Sequence, residues 1–473
     1  MDNKSRIKHI SIKSLFGMFD QEIPIKMSDR ITIIHGPNGF GKTTILNLLD
    51  ALFNIDEKAY LYLNETPFNE FCVNFDDGSN LRITKNYNEK HQTFALPKFQ
   101  LTKSDEEILE WPTFIEPEII LKRGQNLNDY NTYIIFPAQN REITEFISYG
   151  SHLKEPRELY LTSVLYQILI HLQDTSRRRE SIDTISEKKR FVDLIPYWLK
   201  SYYLVHYIQS QRLITEKADL REKMVTIYSQ ALVKDMEKFL AEFASFSQNL
   251  DRTFPFRLVK KLTTHDAEQI PPPDEISKGL QEIAKLRSRM TEIDLLNHED
   301  SDLKDVKTSR PDLDQVIDVS DILKHKISQV LDLYIEDTRQ KLAIFDEFAK
   351  KLHLFKKIIN SRFLFKEMSI SRKDGFIFKN PEKKIIIKPA QLSSGEQHTI
   401  VLNYKLLFEA QPHSLILIDE PEISLHVAWQ QSFLEDLQKI ANIAKLDILI
   451  ATHSPLIINH RWDLTVELKG PSQ

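Results

Sequence analysis

Two short motifs at opposite ends of the chain constrain its fold more than anything between them: Gly36-Pro37-Asn38-Gly39-Phe40-Gly41-Lys42-Thr43 and Leu415-Ile416-Leu417-Ile418-Asp419-Glu420. The first fits G-x-x-x-x-G-K-[ST], a loop whose glycines let backbone N–H groups turn inward around a phosphate. It follows the apolar run Ile31-Thr32-Ile33-Ile34 and precedes residues 43–53, whose leucine spacing reads as an amphipathic helix. The order strand, loop, helix is what anion binding at a helix N-terminus requires. A chance match in a glycine-rich turn is a poor alternative, because the chain has only 11 glycines in 473 residues and Gly36, Gly39 and Gly41 sit here. In the second motif four apolar residues deliver two adjacent carboxylates to a strand's C-terminal end. Asp419 is suited to a magnesium shell and Glu420 to polarising a water; the plain alternative is two acids that merely end a strand. Together the motifs require both chain ends to fold into one α/β unit around ATP and Mg²⁺. Gly36, Asn38, Gly39, Gly41, Lys42, Thr43 and Thr44 would hold the nucleotide, and Thr43 and Asp419 the metal.

Composition narrows the class further. With 41% hydrophobic and 28% charged residues the chain reads as globular, and neither an eighteen-residue apolar run nor a signal-like residues 1–10 is present, so a cytoplasmic protein is expected. A single cysteine, Cys72, leaves no internal disulfide and no Cys-x-x-Cys metal hook. It reads as a strand core residue. The net charge of −5 gives no global argument for nucleic acid.

Five segments follow from the patterning: 1–90 as the N-terminal lobe of the head, 91–200 as a helical insertion, 201–224 as a further head segment, 225–359 as a coiled-coil stalk, and 360–473 as the C-terminal lobe. Residues 71–86 read as a hairpin turning at Asp77-Gly78. Leu232, Met236, Phe239, Phe243, Phe246 and Leu250 form one heptad seam, and Leu331, Ile335, Thr338, Leu342, Phe345, Ala349 and Leu352 a second. Pro271-Pro272-Pro273 and the acidic run 298–312 break the helices between them, leaving helices over 275–297 and 313–359. The simplest assembly is a short antiparallel stalk, on the order of 50 Å per arm at 1.5 Å per residue. After it the chain returns to α/β character: strands over 375–378, 384–388, 414–418 and 446–450, and helices over 394–410 and 427–443.

Two further motifs carry a resemblance. Leu392-Ser393-Ser394-Gly395-Glu396 opens a helix, and Ala451-Thr452-His453-Ser454-Pro455 follows a buried strand. In this order, with the two motifs above, they make the chain resemble the ABC ATPases, in the branch of SMC, RecF-like and overcoming-lysogenisation-defect proteins; Glu-Pro-Glu followed by Ser424-Leu425-His426 points to the same branch. Ser394 and Glu396 depart from the family's Gly and Gln. The resemblance implies an ABC-type P-loop head formed by both chain ends. Ser393, Ser394, Gly395 and Glu396 would cap the γ-phosphate of ATP bound on a second copy, giving a homodimer around two ATP molecules and the option of a higher homo-oligomer. Glu420 and His453 become the catalytic pair, with His453 the switch histidine; taken alone His453 reads as easily as a structural residue. A sensing glutamine that reaches the metal is implied as well. Gln211, after a strand and before Arg212, is favoured over Gln139.

The same stretch, Ile-Asp-Glu-Pro-Glu-Ile-Ser-Leu-His, resembles ATPase subunits of prokaryotic anti-phage systems, PARIS first, then Septu and ATPase-bearing retrons. That implies a sensor that holds a separate nuclease or toxin effector until a phage-derived protein or nucleic acid appears, and the short tail after His453 implies that the nuclease is another chain. Two rivals stay open: a RecF-like repair ATPase that binds DNA directly, and a scaffold that binds ATP with little turnover. The basic runs Arg177-Arg178-Arg179 and Lys188-Lys189-Arg190 could meet nucleic-acid phosphates, but Glu180, Asp183 and Glu187 between them suit a solvated helix face.

Overall fold

The structure, a computed structural model, describes residues 5–85, 87–88, 93–94, 97–111, 118–123, 130–135, 198, 203–209, 218–263, 272–297, 321–383, 385–423 and 425–471. The chain divides into two units that interleave along the sequence. One gathers Met1–Ser210, Pro412–Pro421 and Leu446–Gln473, the other Gln211–Gln411 and Glu422–Lys445.

The first unit begins with β1 (Ile7–Leu15), β2 (Phe19–Pro24) and β3 (Ile31–His35), then α1 (Lys42–Phe53) and α2 (Glu57–Glu65). It continues through β4 (Glu70–Phe75), β5 (Asn80–Thr84), the short pair β6 (Tyr87–Asn88) and β7 (Thr93–Phe94), then β8 (Lys98–Thr102) and β9 (Ile108–Trp111). The hairpin β10 (Glu118–Arg123) and β11 (Tyr130–Ile135) and the single strand β12 (Val205–Gln209) follow. An antiparallel sheet runs β2-β1-β4-β5-β8-β9. Its alternating sequences put one residue of each pair in the core, as in the buried Phe71, Val73 and Phe75 of β4. The hairpin expected at Asp77-Gly78 is the β4–β5 turn, where Gly78 takes φ +90° and the Asp77 carboxylate accepts from the Ser79 N–H. The sheet continues beyond residue 90: Phe99 and Leu101 of β8 are buried with the same alternation. Residues 98–102 and 108–111 are therefore strands of this sheet, where the patterning predicts a helical insertion. Both basic runs and Gln139 lie outside the described residues, and between 112 and 200 only β10, β11 and residue 198 are described.

A parallel sheet forms the other layer of this unit, with order β12-β16-β17-β3-β18, where β16 is Leu415–Asp419, β17 Asp447–Ala451 and β18 Thr465–Glu467. Parallel strands covered on both faces should be apolar throughout, and Leu415, Ile416, Leu417 and Ile418 are all essentially inaccessible. Each such side chain contributes about 1.5–3 kcal/mol on burial. The apolar face of α1, including Ile45, Leu46, Leu49 and Leu52, joins the same core. Arg6 on the chain leading into β1 donates Nε and Nη2 to the two oxygens of Asp447 at the start of β17, tying the antiparallel sheet to the parallel one. Cys72 is buried in β4 as expected, and burial pushes its thiol pKa up.

The second unit holds α3 (Ala218–Thr263), α4 (Pro273–Glu292), α5 (Asp321–Ala343) and α6 (Asp346–Arg362). A small sheet of β13 (Glu367–Ser371), β14 (Gly375–Lys379) and β15 (Ile386–Ile387) follows, then α7 (Ser394–Tyr404), a π-helical turn Lys405–Glu409, and α8 (Val427–Ala444). The ion pairs Asp251–Lys341, Arg257–Asp337 and Lys261–Asp332 step forward along α3 and backward along α5, so these helices run antiparallel. Leu232 and Met236 are fully buried, while Phe239 stacks on Phe348 with centroids 4.5 Å apart and Phe243 meets Phe345 at 4.9 Å. α4 starts at Pro273, as the proline run requires. The helix expected over 313–359 is two helices. Phe345, fully buried, caps α6 while staying in the right-handed helical region, and Asp346 and Glu347 supply the acidic first turn that favours a new N-terminus. Gly375, at φ +73°, cannot be replaced freely, since a Cβ would lie 2.2 Å from the Ser229 carbonyl oxygen of α3.

Candidate functional site

In the first unit the parallel strands end in register. Gln209 of β12 lies opposite Asp419 of β16, Asp419 opposite Ala451 of β17, and Ala451 opposite Ile34 of β3. Asp419 ends its strand in that row, and the loop over 36–41, Glu420 and His453 follow just beyond it, at the carboxyl ends of parallel strands where α/β folds bind ligands. The strand β17 stands between β16 and β3, so the turn that carries His453 emerges between the two motifs.

The loop after β3 is built on left-handed turns. Gly39 and Gly41 take φ +88° and +85°, and Gly41 is the N-cap of α1. A Cβ on Gly41 would come within 2.7 Å of Leu15 Cδ2 at the β1–β2 turn. Lys42 is 6% exposed and its Nζ donates to the carbonyl oxygens of Gly36 at 2.8 Å and Pro37 at 3.0 Å, so the ammonium is held over the loop's concavity. Asn38 and Thr43 are exposed and Thr44 is half-buried.

Thr43 Oγ1 donates to Asp419 Oδ1 at 3.3 Å, bringing the two expected metal-binding groups together. Tyr207 of β12 donates its hydroxyl to Asp419 Oδ2 at 3.4 Å, a partner that the sequence did not announce. This donor set fits Mg²⁺, which binds through one or two protein oxygens and completes its shell with water and substrate phosphates. Glu420 follows in the left-handed region at φ +45°, and its N–H donates to the Ala451 carbonyl at 2.8 Å. A non-glycine residue in that conformation carries about 1–3 kcal/mol of strain. On the neighbouring strand the buried Thr452 donates its N–H to Ile34 O at 3.3 Å and accepts from the Ser454 N–H at 3.0 Å, which leaves His453 exposed at the turn. Gln211 lies two residues beyond β12 and outside the described residues. The strand before it, β12, belongs to the parallel sheet beside Asp419, whereas β11, which leads toward Gln139, pairs among the described residues with β10 alone.

In the second unit Ser393 is the N-cap of α7 and closes a capping box with Glu396. The Ser393 N–H and hydroxyl both donate to Glu396 Oε2 at 2.8 Å. Lys366, at the foot of β13, donates to Glu396 Oε1 and Oε2 at 2.8 and 2.7 Å. Burial pushes the Glu396 carboxyl pKa up, but Lys366 and the two Ser393 donors outweigh it and hold it below its ordinary value. Ser393 and Ser394 stay exposed, with Gly395 half-buried. His426 caps α8, accepting from the Ala428 N–H at 3.3 Å, while Ser424 is outside the described residues.

A glycine-based phosphate cradle, a lysine over it and a threonine–aspartate pair at the carboxyl ends of parallel strands define a P-loop nucleotide-binding protein. The family comparison makes this specific: the model of the AAA ATPase domain matches residues 6–458, and the chain belongs to that family. No curated protein matches it. Among solved structures it is similar to the Smc head domain of Pyrococcus furiosus with an extended coiled coil bound to the C-terminal domain of ScpA, at 14% identity over 96% of this chain and 91% of that one, with TM-score 0.32. It is also similar to the SMC head domain of Thermotoga maritima, at 11% identity, the same coverage and TM-score 0.30.

Proposed function

We propose that this chain is an ATPase of the ABC type that closes two catalytic sites by dimerising around ATP, each site taking its phosphate loop from one copy and Ser393 from the other. The observation that carries the reading is the meeting of Thr43 and Asp419 at 3.3 Å beside a strained Glu420. Thr43 and Asp419 would hold Mg²⁺, which would supply positive charge against that developing on the phosphate oxygens. In this reading Lys42 neutralises phosphate oxygens, Glu420 orients and deprotonates the attacking water, and His453 contacts the γ-phosphate. Gln211 is assigned as the sensing glutamine, supported by the position of β12 beside Asp419. The antiparallel α3–α5 pair supports a short stalk inserted in the head.

The biological role proposed is control of a separate effector, with a nuclease in an anti-phage complex as the first assignment; it is supported by the resemblance of residues 418–426 to ATPases of such systems. Phosphate release by wild type and Glu420→Gln tests the core reading. Loss of a general base predicts a fall of about 100-fold or more, with the variant accumulating as an ATP-bound dimer. Equal rates would make the chain an ATP-binding scaffold instead. Co-purification of a stoichiometric nuclease supports the effector role, and salt-dependent DNA binding by the chain alone would favour direct repair.

A further inference from the structure

The signature turn holds an acid where the resemblance has an amide. Glu396 is 9% exposed and its carboxylate sits on the Ser393 cap, whose hydroxyl is at the surface side of the turn. If Ser393 receives a triphosphate from a second copy, as proposed above, several negative charges arrive within a few bonds of that carboxylate. Like charges brought together in a partly dehydrated place repel strongly, and a neutral glutamine would not pose the problem. Lys366 meets the carboxylate symmetrically, one donor distance to each oxygen at 2.8 and 2.7 Å.

The backbone before Lys366 is arranged for this contact. Phe365 adopts φ +59°, unfavourable for a bulky side chain, in a turn whose Leu364 and Phe365 side chains are both exposed, so packing of their own does not hold the bend. Its two ends are fixed. Phe363 is buried against Phe378 and Trp429, at centroid distances of 5.7 and 6.3 Å, and Asn360 exchanges two hydrogen bonds with the backbone of Met368. The bend thus projects Lys366 from β13 onto α7.

We propose that Lys366 is the counter-ion that allows a glutamate to stand in the signature turn: it cancels the Glu396 charge so that a second copy's triphosphate can approach Ser393, and it holds the carboxylate that orients the Ser393 hydroxyl. Lys366 is therefore a positioning residue, acting through Glu396 without touching nucleotide.

This inference rests on the shared-site reading, and the test separates the two. Dimerisation of the full chain in the Glu420→Gln background is measured by sedimentation over a range of ATP concentrations. Lys366→Met is expected to raise the half-dimerising ATP concentration by about tenfold or more where Glu396 is present, and by less than about twofold beside Glu396→Gln, because an amide needs no counter-ion. Lys366→Arg, which keeps the charge, is expected to stay close to its parent. Equal losses from Lys366→Met in both backgrounds, or an equal loss in Lys366→Arg, overturn the inference while leaving the shared site standing. A parent that stays monomeric at saturating ATP overturns the shared site and the inference with it. A cooperative unfolding transition well above the assay temperature for each variant separates these outcomes from misfolding.

Discussion

Glu420 leaves β16 in a left-handed conformation with its N–H fixed on Ala451, so its side chain starts from a point the neighbouring strand determines. Gly41 shows the same dependence from the other side of the site. Alanine there would need φ +85° and would press against Leu15 Cδ2 at 2.7 Å. Gly41→Ala is therefore expected to abolish tight ATP binding, measured with a fluorescent nucleotide, while the second unit keeps its fold; binding within twofold of wild type would refute the cradle geometry described here. Lys42, Thr43, Asp419 and Glu420 were legible in the sequence because each stands at a fixed spacing from a glycine loop or an apolar strand. Tyr207 and Lys366 were not. Their partners lie 212 and 30 residues away, and nothing local distinguishes them from an ordinary strand tyrosine and surface lysine.

At the scale of elements, periodicity served well where one face is buried and poorly where helices nearly continue. The strands around Asp419 and the helix at 427–444 matched their hydrophobic runs closely. The division of the long helix at Ile344–Phe345 has no signal in the sequence, since neither proline nor glycine marks it and Phe345 keeps helical angles. Tertiary ion pairs were equally invisible. Arg362 of α6, 6% exposed, meets Asp436 of α8 at 2.6 Å. Arg362 is buried but Asp436 is half-buried, with Lys439 3.9 Å away as a second cation, so Arg362→Met should lower the stability of the second unit by about 1–3 kcal/mol in denaturant unfolding, and Arg362→Met with Asp436→Leu should recover part of the loss. A loss below about 1 kcal/mol would show that Asp436 is solvated as freely as a surface acid.

The Lys366–Glu396 contact makes a prediction about pH. Because the folded Glu396 carboxyl lies below its ordinary value, its stabilisation is fully present above the unfolded pKa of about 4.3 and is lost as pH falls through the lowered folded value. The stability difference between wild type and Glu396→Gln should hold level from pH 7 to about 4.5 and shrink only below that. A difference that vanishes between pH 7 and 5.5 would contradict the assigned direction.

At the scale of the whole molecule, the residues proposed for catalysis fall in both units. The phosphate loop, Asp419, Glu420 and His453 belong to one unit, and Ser393 with Glu396 and Lys366 to the other. The distribution of motifs over both chain ends made a jointly folded head legible. How the middle of the chain divides was not, because short strands such as β8 and β9 carry little periodic signal and the division itself follows contacts between distant residues. Each half holds exposed groups suited to one side of a triphosphate, which is why the central claim concerns two copies. Mixing two variants tests it most directly. Lys42→Ala lacks a working phosphate loop and Ser393→Ala a working cap, so each alone should hydrolyse ATP poorly. In a mixed dimer one site joins the intact loop of the Ser393→Ala copy to the intact Ser393 of the Lys42→Ala copy. The account predicts that phosphate release reappears on mixing, in proportion to the mixed dimer formed; activity that stays at the level of the separate variants, with mixed dimers present, would contradict it.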